Sequence, residues 1–503
     1  MNVVAFTSSS SKPTRNILNK RTTQLFSTLS PKSETYLQKQ EQLHAASPLS
    51  LAPMMEYTDR HFRHMVRLIS KNTLLYTEMV AANAIVHEKQ GALERKDNFI
   101  TPPVKGSILE QQIHGDLDEF GYDMTYLRRF LGQSSIMKEG PSVLQLGGSD
   151  PEQLFGACQT LNDLTKSGYC DYTAVNLNCG CPSPKVAGKG QFGAALMEEP
   201  ELVKSLVESM HNGCNGDIPI TVKCRIGTDA GYTFSKAGYE EIDEDKEYSN
   251  LCRFIETVAS SGAVTDFQVH ARIAVLSKKF SPADNRKVPK LKYEFIRKLV
   301  EDYPEFTFSL NGGINTVVDA KAELERCDNM AGVMIGRAWA ANPWSFAMAD
   351  EILYPESSNN IIENVYNAEG KPKNRLEILK LYGEHADNEE LIWDPVKIRR
   401  FIIKAASPLF AGEQNGKRYR IALDDIAGIP KKLKQQNKSM EDQPPISGLI
   451  MNAALNNLKE DILLSSPKES YDKIYGKKDS STQVIKDWQD ERKQKQDCAT
   501  SIH

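Results

Sequence analysis

The chain has 503 residues, of which 40% are hydrophobic and 25% charged, and its formal net charge is −4. That balance excludes collagen-like, disulfide-scaffold and predominantly disordered classes, and no run of ~18 apolar residues is present to cross a membrane. There is no global basic field, so any nucleic acid must be held by a local patch.

The first 33 residues carry no Asp or Glu. They carry Lys12, Arg15, Lys20, Arg21 and Lys32, with Ser or Thr at about a third of positions. Residues 1–45 therefore read as a mitochondrial or plastid transit peptide, or else as a disordered start to a cytoplasmic protein. From Ser50 short apolar or β-branched runs recur between helix-length stretches. They are Ser50–Met54, Leu74–Glu78, Val143–Leu146, Ala174–Asn178, Ile220–Cys224, Phe267–His270, Thr307–Asn311 and Gly332–Ile335. Strands alternating with helices predict a parallel sheet, and eight such units over ~300 residues predict a closed (β/α)8 barrel spanning residues 46–350.

Two insertions interrupt that rhythm. Residues 97–141 exceed an ordinary βα connection, with short helices expected near Asp116–Phe120 and Tyr126–Phe130. Residues 229–250 include an acidic run from Glu240 to Glu247, expected to be a solvated loop. After residue 350 the strands stop. Ile398, Phe401, Ile402 and Ala405 share one helix face, which predicts a small helical domain over residues 372–465. Residues 466–503, rich in Lys, Asp, Ser and Gln, read as a disordered tail.

Nearly every predicted strand ends in a polar or reactive residue: Met54, Glu78, Gln145, Cys181, Lys223, His270, Asn311 and Arg337. In this fold the C-terminal strand ends build the site. Asn311-Gly312-Gly313 after the seventh strand and Gly336-Arg337 after the eighth suit a phosphate, because glycine lets backbone amides approach closely and the Arg adds charge. Lys223 and His270 are two potential cations facing the barrel mouth, and they suit an electron-rich ring or an anionic reduced flavin. Gly180 and Pro182 force a turn that presents Cys181, a thiol fit to act as nucleophile or proton donor. Cys179 alternates to the other side and reads as packing. The nine cysteines are irregularly spaced and odd in number, which points to a reducing compartment. No second Cys/His pair completes a zinc set, so no metal is expected. Residues 396–420 hold Lys397, Arg399, Arg400, Lys404, Lys417, Arg418 and Arg420 against one acid, Glu413.

These blocks, in order from about Leu49 to Trp344, resemble the tRNA-dihydrouridine synthases, specifically the bacterial A-type subfamily. The matching segments are Leu51–Met55 with Thr58-Asp59-Arg60, Asn72–Met79, Gln145–Pro151, Asn176–Ser183, Phe192–Ala194, Thr221–Gly227, His270–Arg272, Asn285-Arg286, Asn311–Ile314 and Gly336-Arg337. The resemblance implies a flavoprotein oxidoreductase: an α/β FMN-binding TIM barrel followed by a small all-helical RNA-binding domain. Its activity would be NADPH-dependent reduction of the C5–C6 bond of a D-loop uridine of tRNA, at position 20/20a. Ala52, Pro53, Met54, Gln145, Lys223, His270, Asn311, Gly312, Gly313, Gly336 and Arg337 would hold FMN. Cys181 would be the general acid. Asn178 and Arg272 would contact the target base or nearby backbone, and Arg286 would orient the tRNA. The helical domain would cradle tRNA through Arg399, Arg400, Lys417, Arg418 and Arg420, in a protein expected to be a monomer with no membrane partner. Cys179, Ile273 and Val275 depart from the family pattern. The competing readings are another FMN-dependent barrel, such as an ene-reductase or dihydroorotate dehydrogenase, and a non-catalytic tRNA-binding protein.

Overall fold

The computed structural model describes residues 32–89, 124–133, 139–183, 192–230, 243–277, 279–354, 372–440 and 443–475. Eight parallel strands close into a barrel in sequence order. They are β1 (Leu49–Leu51), β2 (Leu74–Ala81), β3 (Ser142–Gly147), β4 (Ala174–Cys179), β5 (Ile220–Arg225), β6 (Val264–His270), β7 (Thr307–Asn311) and β8 (Gly332–Ile335). The seam pairs Leu49 with Val333 and Leu51 with Ile335. It is tied by Tyr354, whose hydroxyl accepts from the Leu49 N–H at 3.1 Å and lies 3.0 Å from the Ala46 carbonyl.

Strand side chains alternate between the helical layer and the barrel interior. The inward set begins with an apolar layer that includes Tyr76, Val143, Ala174 and Met334. Above it lies an amide layer of Gln145, Asn176, Thr221 and Gln268, all buried. Asn176 donates to the Thr221 hydroxyl at 2.8 Å and to Gln268 Oε1 at 2.9 Å, and Gln145 donates to Asn176 Oδ1 at 2.8 Å. The outward set packs on surrounding helices in a core that continues into the helical domain, through residues such as Tyr382, Ile402 and Leu423.

Three expectations change. The segment assigned to an address through residue 45 contains the helix Glu34–Ala46, capped by Ser33. It lies across the N-terminal strand ends: Lys39 donates to the Tyr172 carbonyl at 2.8 Å, His44 bonds Asp266 at 2.8 Å, and Ser33 donates to Asp217 at 2.8 Å. Residues 1–31, which carry most of the address reading, lie outside the described residues. The acidic run is not wholly a loop. Asp243 caps the helix Glu244–Ala259, whose first turn holds Glu244 and Glu247. Carboxylates suit a helix N-terminus, and Glu247 is buried against Lys292. The tail begins later than residue 466, because Pro467–Tyr475 is helical. The expected helix near Tyr126 is present as Met124–Leu131. The one near Asp116 and residues 476–503 lie outside the described residues.

The helical domain comprises Arg375–Ile392, Pro395–Ala406, Gly416–Gln435, Ile446–Asn457 and Glu460–Leu464. Its joint with the barrel is polar and buried. Glu389, fully buried, accepts from Arg60 at 2.6 Å, with Arg128 3.7 Å away. His61 Nδ1 and His385 Nε2 are 3.0 Å apart, and His64 stacks on His385. Burial opposes ionisation of Glu389, but the surrounding Arg60, His61, His385 and Arg128 hold its carboxyl well below the usual range. A depressed folded value contributes stability above the unfolded carboxylate pKa, about 4.3, and that contribution is lost as pH falls through the folded value. Glu389→Gln leaves Arg60 and Arg128 buried without their anion. It is expected to remove ~3–5 kcal/mol of stability, read as a lower urea midpoint at unchanged slope, with a correspondingly shallower loss of stability on acidification.

Candidate active site and RNA-facing surface

The C-terminal strand ends bring most of the expected residues to one rim. Asn178 and Lys223 are register partners on β4 and β5, and His270 pairs with Asn311 on β6 and β7. Asn311 is buried and donates to the Met334 carbonyl at 2.7 Å, joining β7 to β8. Gly312 and Gly313 have φ of +112° and +79°, a region side-chain-bearing residues avoid. A Cβ at Gly312 would lie 2.5 Å from the His270 ring, and one at Gly336 would lie 3.0 Å from Met54 Sδ and 3.3 Å from Ala52 Cβ. The β7 and β8 loops therefore lean onto β6 and β1 with room for backbone alone. Tyr293 donates to the Gly312 carbonyl at 2.6 Å and fixes that loop from outside. Pro53 follows Ala52 on this rim, and Arg337, exposed, opens the short helix Arg337–Ala341.

Lys223 and His270, the two potential cations, are both shifted toward their neutral forms. Burial pushes Lys223 down to about 8, with neighbouring Arg225 adding to the shift. Burial also drives His270 well below its usual value, reinforced by Arg225, Lys223, Arg272 and Arg337. His270 is thus a neutral imidazole at neutral pH, and Lys223 is an ammonium whose proton is loosely held.

Cys181 sits half-buried at the rim on a turn that is fastened from two sides. Asn178 Oδ1 accepts from the Gly180 and Cys181 N–H groups at 3.0 and 3.1 Å. Arg225 Nε donates to the Gly180 carbonyl at 2.9 Å. Asn178 is buried and donates to Gln145 Oε1 at 3.1 Å, so its side chain also ties the Cys181 turn to β3. Cys179 is fully buried beside Cys224, as packing requires.

Arg225 was not among the expected site residues. It is 3% exposed, and its other arm reaches the Ile273 carbonyl at 3.0 Å, joining the Cys181 turn to the loop after β6. The signal is in β5 itself, where charges at 223 and 225 alternate on a strand with no solvent face. Asn285 was also missed as a structural element. Buried, it exchanges hydrogen bonds with the Val275 backbone at 2.7 and 2.9 Å and presents the exposed Arg286 beside it. Arg272 is half-buried and donates to the Pro289 carbonyl.

On the helical domain, Arg400, Lys417, Arg418 and Arg420 are exposed. Arg399 is not: it is 1% exposed and forms a two-pronged pair with Glu390, one arm at 2.9 Å. The expectation that Arg399 grips tRNA is corrected, since on its helix it falls beside Ile398, Ile402 and Ile403 on the inner face.

A family profile described as "Dihydrouridine synthase (Dus)" matches residues 50–115 and 126–437. A tRNA-dihydrouridine(20/20a) synthase of Escherichia coli (strain K12) is 37% identical over 318 residues, covering 63% of this chain and 73% of that protein. One from Synechocystis sp. (strain ATCC 27184 / PCC 6803 / Kazusa) is 36% identical over 312 residues, covering 62% and 73%. One from Shewanella oneidensis (strain ATCC 700550 / JCM 31522 / CIP 106686 / LMG 19005 / NCIMB 14063 / MR-1) is 38% identical over 304 residues, covering 60% and 70%. With its closed barrel, glycine-lined rim and fastened Cys181 turn, this chain belongs to the dihydrouridine synthase family, on its A-type branch.

Proposed function

We propose that this protein reduces the C5–C6 bond of a D-loop uridine in tRNA, at position 20/20a, with FMN as bound cofactor and NADPH as reductant. The observation that carries the reading is the meeting, at one barrel mouth, of a backbone-only cradle at Gly312, Gly313 and Gly336 with the fastened turn of Cys181. The rim fits FMN: the glycine loops and the Arg337 guanidinium would take its phosphate, and Lys223, the neutral His270, Ala52, Pro53, Met54, Gln145 and Asn311 would hold the rest of it. When bound, the flavin supplies hydride to C6 of uracil.

The protein's own residues do the rest. Cys181 Sγ gives its proton to C5 and recovers one from solvent, completing the addition of two electrons and two protons' worth of hydrogen as hydride plus proton. Asn178 and Arg225 hold Cys181 at a fixed height above the mouth, because a proton donor acts only within hydrogen-bond reach of its acceptor. A base must leave its stack to enter a barrel mouth, at a cost of a few kcal/mol. Arg286 on the barrel and Arg400, Lys417, Arg418 and Arg420 on the helical domain offset that cost by gripping phosphates. The enzyme acts as a monomer, and the basic segment before Ser33 directs it to a mitochondrion or plastid.

Three outcomes test the reading. Cys181→Ala should retain flavin and NADPH oxidation while dihydrouridine formation on unmodified tRNA falls by ~10²–10⁴-fold; near-wild-type product would remove Cys181 from the acid role. Arg337→Ala should lose bound flavin per protein before it loses tRNA affinity at fixed salt, and the reverse order would assign that arginine to RNA. Neutralising Arg400 and Arg418 together should flatten the dependence of log affinity on log salt by roughly 0.7–0.9 per lost contact, whereas Arg399→Gln should lower the melting temperature and leave that slope alone.

A further inference from the structure

Between the loop after β1 and the helical domain lies a second concavity, separate from the cofactor cradle. Its volume is about 460 Å³, within the range that takes a small ligand. Ala340, Ala341 and Pro408 give it apolar walls, and Tyr57, Lys404 and Arg420 supply an aromatic ring and two cations. Tyr57 keeps 47% of its surface open. The Lys404 ammonium sits 4.5 Å from the centre of that ring.

The loop that carries Tyr57 is held in a costly shape. Glu56 has φ +66°, a conformation that disfavours any residue bearing a Cβ by roughly 1–2 kcal/mol. Two partners keep it there. The Glu78 carboxylate on β2 accepts from the Glu56 N–H, and Lys404, from the helical domain, donates to the Glu56 carbonyl. Strained backbone of this kind persists where its surroundings over-determine it, commonly at ligand contacts. Asp59, on the same wall, is turned inward to accept from the Phe62 N–H at 2.9 Å, and burial raises its carboxyl to about 7.

We propose that Tyr57 is a stacking platform for a nucleobase next to the reduced uridine, with Lys404 fixing the ring and Arg420 taking the adjoining phosphate. Tyr57 is three residues beyond Met54 at the rim, and Ala340 is three beyond Arg337, so a strand delivering one base to the mouth passes this cavity with the next. An exposed ring beside cations is the chemistry that holds unpaired bases, by π-stacking and charge. Flanking-base contacts of this sort set sequence context in enzymes that extrude a target base. The inference rests on the reading of the protein as a tRNA-modifying enzyme, and deepens it by naming a specificity residue outside the reacting centre.

The test uses full-length flavin-loaded protein and unmodified tRNA transcripts. Tyr57→Ala should weaken tRNA binding roughly tenfold, the equivalent of about 1.4 kcal/mol, at every salt concentration and with an unchanged salt slope. Tyr57→Phe and Tyr57→Trp should restore it, and bound flavin should not change. A transcript lacking the base on one side of the target uridine should bind wild type about tenfold more weakly, yet cost Tyr57→Ala no further loss, the signature of a coupled pair. Failure of Phe to rescue, a changed slope, or coupling at neither flanking position would overturn the platform. Should the wild-type protein neither bind tRNA nor form dihydrouridine, the fault would lie with the proposed function itself.

Discussion

A relay of side-chain amides through the barrel is the interaction on which the site depends. Asn176 bridges Gln145, Thr221 and Gln268, Gln145 accepts from Asn178, and Asn178 in turn holds the backbone of Gly180 and Cys181. Four strands contribute to it. Buried amides are expensive unless satisfied, and here each satisfies its neighbour, so none can turn without stranding another. The height of the cysteine above the mouth is thus fixed by groups at the middle of the barrel.

Arg225 completes that arrangement from the side. Its two arms join the Cys181 turn to the loop after β6, so the candidate proton donor and the loop bearing Arg272 and Arg286 are braced as one body. Burial is what chiefly lowers both Lys223 and His270, and the nearby Arg225 guanidinium adds to each shift.

The barrel was legible because parallel strands covered on both faces read as short apolar runs, and because active-site residues sit at their C-terminal ends. All eight runs coincide with strands, within a few residues at the ends. What escaped depended on facing rather than on composition. The helix Glu34–Ala46 is mostly polar, and only Tyr36, Lys39, Leu43 and Ala46 turn inward, too thin a stripe to stand out in a basic, Ser-rich neighbourhood. Arg399 looks in sequence like its neighbour Arg400, yet one faces Glu390 in the interior and the other faces solvent. The bonds by which Asn178 holds the Cys181 turn could not be read from its place in a motif. A charge or an amide announces chemistry in a sequence, but its partner is a property of the fold.

The seam has a consequence for how the chain is made. Leu49 pairs with Val333, and the hydroxyl that ties this junction belongs to Tyr354, some three hundred residues downstream. Until that tyrosine leaves the ribosome, at ~5–20 residues per second, the nascent sheet has two bare edges, with β1 offering its backbone to any passing strand. Loops of such length close slowly. The three-residue β1, among the shortest strands of the barrel, is then an advantage: the edge left waiting longest is also the one with the least to offer a wrong partner.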